Sequence, residues 1–174
     1  MKKVKTIIAM MLIMSIVFGI LGCNTIEQVE ELSAKDFKNA LEDVFDANDD
    51  EIVETQGEGY DILYFPDRRC LITYDTFDNE DVARSIFEMQ YNQYENIEKD
   101  YELDGVNRSF DENMGYIVVR TSDEVFMEEF GTEVFDEIIF AYYYSGSMYI
   151  SIFCADNDID DALEFIECLG LPHV

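Results

Sequence analysis

The sequence predicts an α+β domain, a mostly antiparallel sheet with helices packed on it, and three observations predict it. Apolar residues recur at helical spacing in Phe37 to Phe45, Val82 to Ile97 and Ile159 to Ile166. Aromatic and β-branched runs come in sequence-adjacent pairs joined by short turns, which makes their strands antiparallel neighbours. Asp-rich helix starts follow two of those pairs.

Ser33 reads as an N-cap with Asp36 at the third helical position, and Phe37, Ala40, Leu41, Val44 and Phe45 share one stripe. This helix runs out at Ala47-Asn48-Asp49-Asp50, where poor helix formers and like charges meet. The period then changes. Glu51 to Thr55 is strand-like, Gln56-Gly57-Glu58-Gly59 is a turn, and Tyr60 to Phe65 and Arg69 to Tyr74 form a hairpin with Pro66 at the second position of a type I turn.

Asp78-Asn79-Glu80-Asp81 opens a long helix, because acids there meet the positive end of the helix dipole. Val82, Ala83, Ile86, Phe87, Met89, Tyr94 and Ile97 give its apolar face, and the pattern lasts to Lys99. Gly105 to Phe110 and Tyr116 to Thr121 read as a second strand pair. Phe126, Phe130 and Val134 place a short helix within Asp123 to Glu137, interrupted by Gly131.

Ile138 to Tyr144 and Ser147 to Cys154 form the clearest hairpin, with Ser145-Gly146 as its loop. Ile139, Ala141 and Tyr143 then share a side with Met148, Ile150 and Ile152, while Phe140 and Tyr142 oppose Tyr149 and Ser151. The last helix starts at Asp156-Asn157-Asp158, buries Ile159, Ala162, Leu163 and Ile166, and stops at Gly170 with Pro172 beyond. A hairpin followed by an acidic helix start occurs twice, with Ala83 and Ala162 in matching places, so two similar hairpin-helix halves are expected.

The first 23 residues supply an address. Lys2, Lys3 and Lys5 precede an uncharged apolar run from Ile7 to Leu21, shorter than the roughly 20 residues a membrane-spanning helix needs. The plain reading is an ordinary signal peptide or short anchor with a chance Cys. Gly22 stands before Cys23 where the apolar run stops and acidic sequence begins, so Ile20-Leu21-Gly22-Cys23 resembles the lipobox of bacterial lipoproteins. That resemblance implies cleavage between Gly22 and Cys23 and thioether-linked diacylglycerol on Cys23. The expected organisation is a signal peptide over residues 1–22, a tether over 23–32 and one domain over 33–174.

Three of the eleven Lys and Arg but none of the 39 Asp and Glu lie in residues 1–22, so the remaining 152 residues carry a formal −31. Phosphate binding needs clustered bases, which excludes nucleic acid as a partner. Disorder is excluded by 14% aromatic and 48% hydrophobic content. Besides Cys23 there are Cys70, Cys154 and Cys168, an odd set without metal-ligand spacing. Buried free thiols are the first expectation; one disulfide plus one free thiol is the alternative that export permits.

Candidate chemistry is sparse. His173 is the single histidine and sits beside the C-terminus, a poor place for catalysis. Nucleophile-elbow, zincin and nucleotide-binding signatures are missing from the sequence. Asp156, Asp158, Asp160 and Glu167 match positions 1, 3, 5 and 12 of an EF-hand loop, which makes the first three weak calcium candidates. Asp161 stands where that loop needs Gly, and Ala162 to Ile166 looks helical, so an acidic helix N-terminus is the simpler reading. Tyr142, Tyr143, Tyr144 and Tyr149 are candidates for an aromatic platform; tyrosines in strands are more often half-buried sheet residues.

Taken with the lipobox, Asp36-Phe37-Lys38 in the first helix, Asp78 to Asp81, the GYIVVR strand and a final helix ending near Leu169-Gly170 resemble a loose group of small, largely uncharacterised lipoproteins of Gram-positive bacteria. The stretch 123–137 departs from that pattern. The resemblance implies no activity. The expected function is a lipid-anchored, non-enzymatic binding or interaction module on the outer face of the cell membrane, with an envelope protein as its partner and no cofactor. A solute- or carbohydrate-binding module using Tyr142, Tyr144 and Tyr149 is the alternative, and a weak divalent-cation binder or an enzyme the third reading.

Overall fold

A computed structural model describes residues 28–174 other than 68, 95, 96 and 133. Seven strands form one sheet: β1 (Val53–Gly57), β2 (Tyr60–Pro66), β3 (Cys70–Phe77), β4 (Gly105–Phe110), β5 (Met114–Thr121), β6 (Ile138–Ser145) and β7 (Met148–Ala155). Their order is β1-β2-β3-β7-β6-β5-β4, antiparallel throughout, so two meanders meet where β3 pairs with β7. The helices are α1 (Ala34–Phe45), α2 (Glu80–Tyr94), α3 (Ile97–Asp100), α4 (Glu124–Glu129) and α5 (Ile159–Cys168). This is the α+β fold that the strand pairs and helical stripes predict. Among the described residues no helix is long and apolar enough to cross a membrane.

Side chains alternate across the sheet, so it has two faces and two cores. On one face α1 and α5 lie side by side, with Phe37 and Phe165 edge to face at 5.4 Å. They cover Leu63, Phe65, Ile72, Tyr74, Tyr143, Ile150 and Ile152. On the other face Ala83, Phe87 and Tyr94 of α2 pack with Ile117, Val119, Phe140, Tyr144 and Tyr149. The hairpin-helix succession does recur as β2-β3-α2 and β6-β7-α5. Its two helices cover opposite faces, with Ala83 in one core and Ala162 in the other.

Local signals hold at the helix ends. The Ser33 hydroxyl accepts from the Asp36 N–H at 3.2 Å, and Gly170 adopts φ +66° to end the last helix. The Asp123 carboxylate accepts from the Phe126 N–H at 2.8 Å, and the short helix it caps ends before Gly131, at φ +72°.

The helical pattern expected to Lys99 is present over Glu80–Tyr94 and Ile97–Asp100, and the Tyr94 carbonyl accepts from the Arg108 guanidinium at 2.9 Å. Several expectations need correction. Pro66 is the last residue of β2, paired with Leu71, and the chain turns after it. The final hairpin loop is Gly146-Ser147, with Gly146 at φ +55° as a primed turn requires. Pairing therefore shifts by two residues, Tyr143 with Ile150 and Tyr142 with Ser151, and every side chain keeps its expected face. Phe165 is fully buried where Leu163 was expected, and Leu163 is only partly covered.

Cys70 and Cys154 are not free thiols. They occupy paired positions of β3 and β7 and form a disulfide, leaving Cys168 exposed and free. The domain also starts earlier than residue 33. Val29 is buried, the Tyr74 hydroxyl donates to the Leu32 carbonyl at 2.7 Å, and the Ser147 hydroxyl donates to Glu31 at 2.6 Å.

Candidate functional site

A sheet face rich in apolar side chains is normally roofed by another layer. The α1/α5 face is roofed across both meanders, because Phe37 lies 5.0 Å from Tyr74 and Phe45 5.5 Å from Phe65. Among the described residues the α2 face is roofed chiefly over one meander, with the Phe77 end of β3 joining that core. Phe87 and Tyr91 meet Phe110 of β4 at 5.3 and 5.2 Å, which sets α2 over the β5–β7 side. Helical spacing then puts Val82 and Ile86 on its opposite flank, toward β3 and β2.

The uncovered half consists of the residues of β1, β2 and β3 that point to this side. Val53, Tyr60, Tyr64 and Leu71 are 48, 39, 37 and 40% exposed. Ile62 and Thr73 between them are half-buried. The Tyr60 ring lies across Gly57, where any Cβ would come within 2.2 Å of it. Beside the roofed half lies a small, open aromatic pocket of about 160 Å³ between Phe126, Phe130, Tyr142 and Phe153. A wider acidic cleft opens next to it, where the Tyr101 hydroxyl donates to Glu129.

Asp75 stands at the boundary between the two halves. It points to the α2 face between Ile62 of β2 and Tyr149 of β7, and its Oδ1 is buried without a hydrogen-bond partner. Burial pushes its carboxyl up to about 6 from an ordinary 3.8. A buried, unpaired acceptor costs stability, so this carboxyl is held at the expense of the fold. Behind it Tyr149, Tyr142 and Tyr94 stack in a ladder with ring centroids 6.3 and 6.0 Å apart. Burial raises the pKa of all three hydroxyls.

The structure redistributes the residues singled out in the sequence. Tyr149 and Tyr144 are buried, Tyr144 stacked on Phe87 at 5.9 Å with its hydroxyl donating to the Glu112 carbonyl. Only Tyr142 is half-exposed, so these three form no solvent-facing platform. Asp156 adopts φ +54° and accepts from the Asp136 N–H at 2.8 Å. α5 begins at Ile159, so Glu167 lies in a helix instead of closing a loop over Asp156, Asp158 and Asp160. Among the described residues no three His, Cys, Asp or Glu side chains are placed to hold a metal ion. His173 is exposed near the α1/α5 face, where the Asn107 side chain donates to its carbonyl. Gly22 and Cys23 lie outside the described residues.

The residues of the open half-face, Tyr60, Tyr64, Leu71 and Asp75, were not picked out by sequence reasoning. One signal was available: Asp75 interrupts the run Ile72-Thr73-Tyr74, an ionisable group within an otherwise uncharged strand. No known family, curated protein or solved structure matches the chain.

Proposed function

We propose that this chain is a lipid-anchored, extracytoplasmic envelope domain that works by binding a partner and not by catalysis. The open half of the α2 face carries the binding part of this reading. It gathers Val53, Tyr60, Tyr64 and Leu71 into one exposed apolar surface on a sheet whose other face is covered over β2 and β3. Contiguous exposed apolar surface marks interaction sites more often than scattered apolar residues do.

Two features support the address. Ile20-Leu21-Gly22-Cys23 has the lipobox pattern, and a disulfide between Cys70 and Cys154 suits an oxidising compartment. With Val29 to Leu32 docked on the domain, Cys23 to Gln28 remain as tether, a reach of about 20 Å when extended. The docked segment contacts Tyr74 and Met148, whose side chains belong to the α1/α5 core, so the open half-face is on the far side of the sheet from it.

Two variants test the reading in cells. Cys23→Ala should leave the protein uncleaved or release it to the medium; finding it cleaved and fully membrane-bound contradicts the anchor. Leu71→Ser should stay folded and anchored yet lose its partner. Unchanged partner recovery would contradict the proposed surface.

A further inference from the structure

We propose that the open half of the α2 face receives an amphipathic, basic helix of a partner protein, lying beside α2 and placing a Lys or Arg against Asp75. This rests on the reading of that half-face as the binding surface and adds the chemistry of its occupant.

Shape supports a helix. Three strands at about 4.8 Å spacing give a floor roughly 10 to 14 Å wide, and a helix with its side chains is about 10 to 12 Å across. The same sheet already carries such a pair on its other face, where α1 and α5 lie in contact over both meanders. On the α2 face one of the two corresponding places is filled by α2 itself. Val82 and Ile86 form the wall of the vacant place, and Ile62, Tyr64 and Leu71 its floor. A helix docked there would present an apolar stripe to this floor, the usual mode of helix-in-groove recognition.

Charge supports a cation. Asp75 lies half-buried in the corner between floor and wall with its inner oxygen unpartnered, and an ammonium or guanidinium group against the accessible side of the carboxylate would give it a charge-assisted hydrogen bond. The chain carries a formal −28, so long-range attraction also selects a basic partner. A second copy of this chain would bring the same negative charge, and an anionic lipid surface would be repelled. A strand added at the free edge of β1 would run two strands away from Asp75 and leave its oxygen unpaired.

The test uses the full-length protein in detergent micelles and two synthetic 18-residue helical peptides with the same Leu stripe. One carries Lys along its rim and the other Glu. The Lys peptide should bind wild type in calorimetry, and the Glu peptide at least tenfold more weakly. Asp75→Asn should weaken the Lys peptide about tenfold or more, the loss of one charge-assisted hydrogen bond. Leu71→Ser should also weaken it, while Glu164→Gln on α5 should not; urea midpoints confirm that each variant is folded. If Leu71→Ser weakens binding and Asp75→Asn does not, the surface stands and the cationic contact is overturned. If neither matters, or both peptides bind alike, both surface and contact are overturned. Sedimentation showing a dimer that Leu71→Ser separates would identify a second copy as the occupant and likewise overturn the proposal.

Discussion

Leu71 and Phe153 face each other across the β3–β7 pair, and the edge of the roof on the α2 face falls between them. The Phe153 ring meets Phe135 at 5.9 Å, whereas Leu71 is 40% exposed. Leu71 therefore contributes little to the isolated fold. Leu71→Ser is expected to change unfolding free energy by less than about 0.5 kcal/mol. Its neighbour Ile72 is fully buried on the other face, and Ile72→Ala should cost about 2 to 5 kcal/mol. Urea unfolding of both variants measures this contrast, and equal losses would mean that the roof extends over β3.

The final helix gives a second contrast. Phe165 is fully buried against Phe37 and Phe45, so Phe165→Ala should cost about 3 to 5 kcal/mol. Leu163 is partly covered, and Leu163→Ala should cost clearly less. The reverse order in denaturant midpoints would place the stripe on the wrong side of α5.

Alkylation of the denatured, unreduced protein should label Cys168 and neither Cys70 nor Cys154. The disulfide closes a separation of 84 residues and joins the two meanders, so its removal in Cys70→Ala/Cys154→Ala should cost about 2 to 4 kcal/mol. Cys168→Ser should cost little. Labelling of all three thiols in the oxidised protein would refute the pairing.

Asp75 sets a pH dependence of definite sign. Its folded carboxyl titrates near 6 against an ordinary 3.8, so between those values the folded state binds more protons than the unfolded state. Stability from this group falls as pH rises through that window and stays low above it. Asp75→Asn should thus be neutral below pH 4 and stabilising above pH 6, by about 1 kcal/mol once solvent screening of the half-buried carboxyl is allowed for. A gain that is the same at pH 4 and pH 7 would contradict the assignment.

The elements were legible because their signals are local. Ser33, Gly131 and Gly170 mark helix ends through capping and positive φ, and the strands of the 138–155 hairpin read directly from β-branched and aromatic runs. What sequence could not supply was the long-range pairing of β3 with β7. That pairing brings Cys70 to Cys154 and decides which meander α2 covers. The run Tyr60 to Phe65 is apolar on both faces, a pattern that reads as a strand covered on both sides. Its Leu63 and Phe65 are roofed by α1, while Tyr60 and Tyr64 are not, so the candidate surface consists of residues that resemble core in the sequence. The tyrosines of β6 and β7 showed the converse. Tyr144 and Tyr149 look like a platform until α2 is placed over them.

The central claim is that the half-face bearing Leu71 is where a partner docks, and site-specific photo-cross-linking in native membranes tests it most directly. A photoreactive residue at position 71 should give one discrete adduct that disappears when Asp75→Asn is added. The same residue at position 164 on α5 should give none. Equal adducts from both positions, or an adduct from 164 alone, would contradict the account.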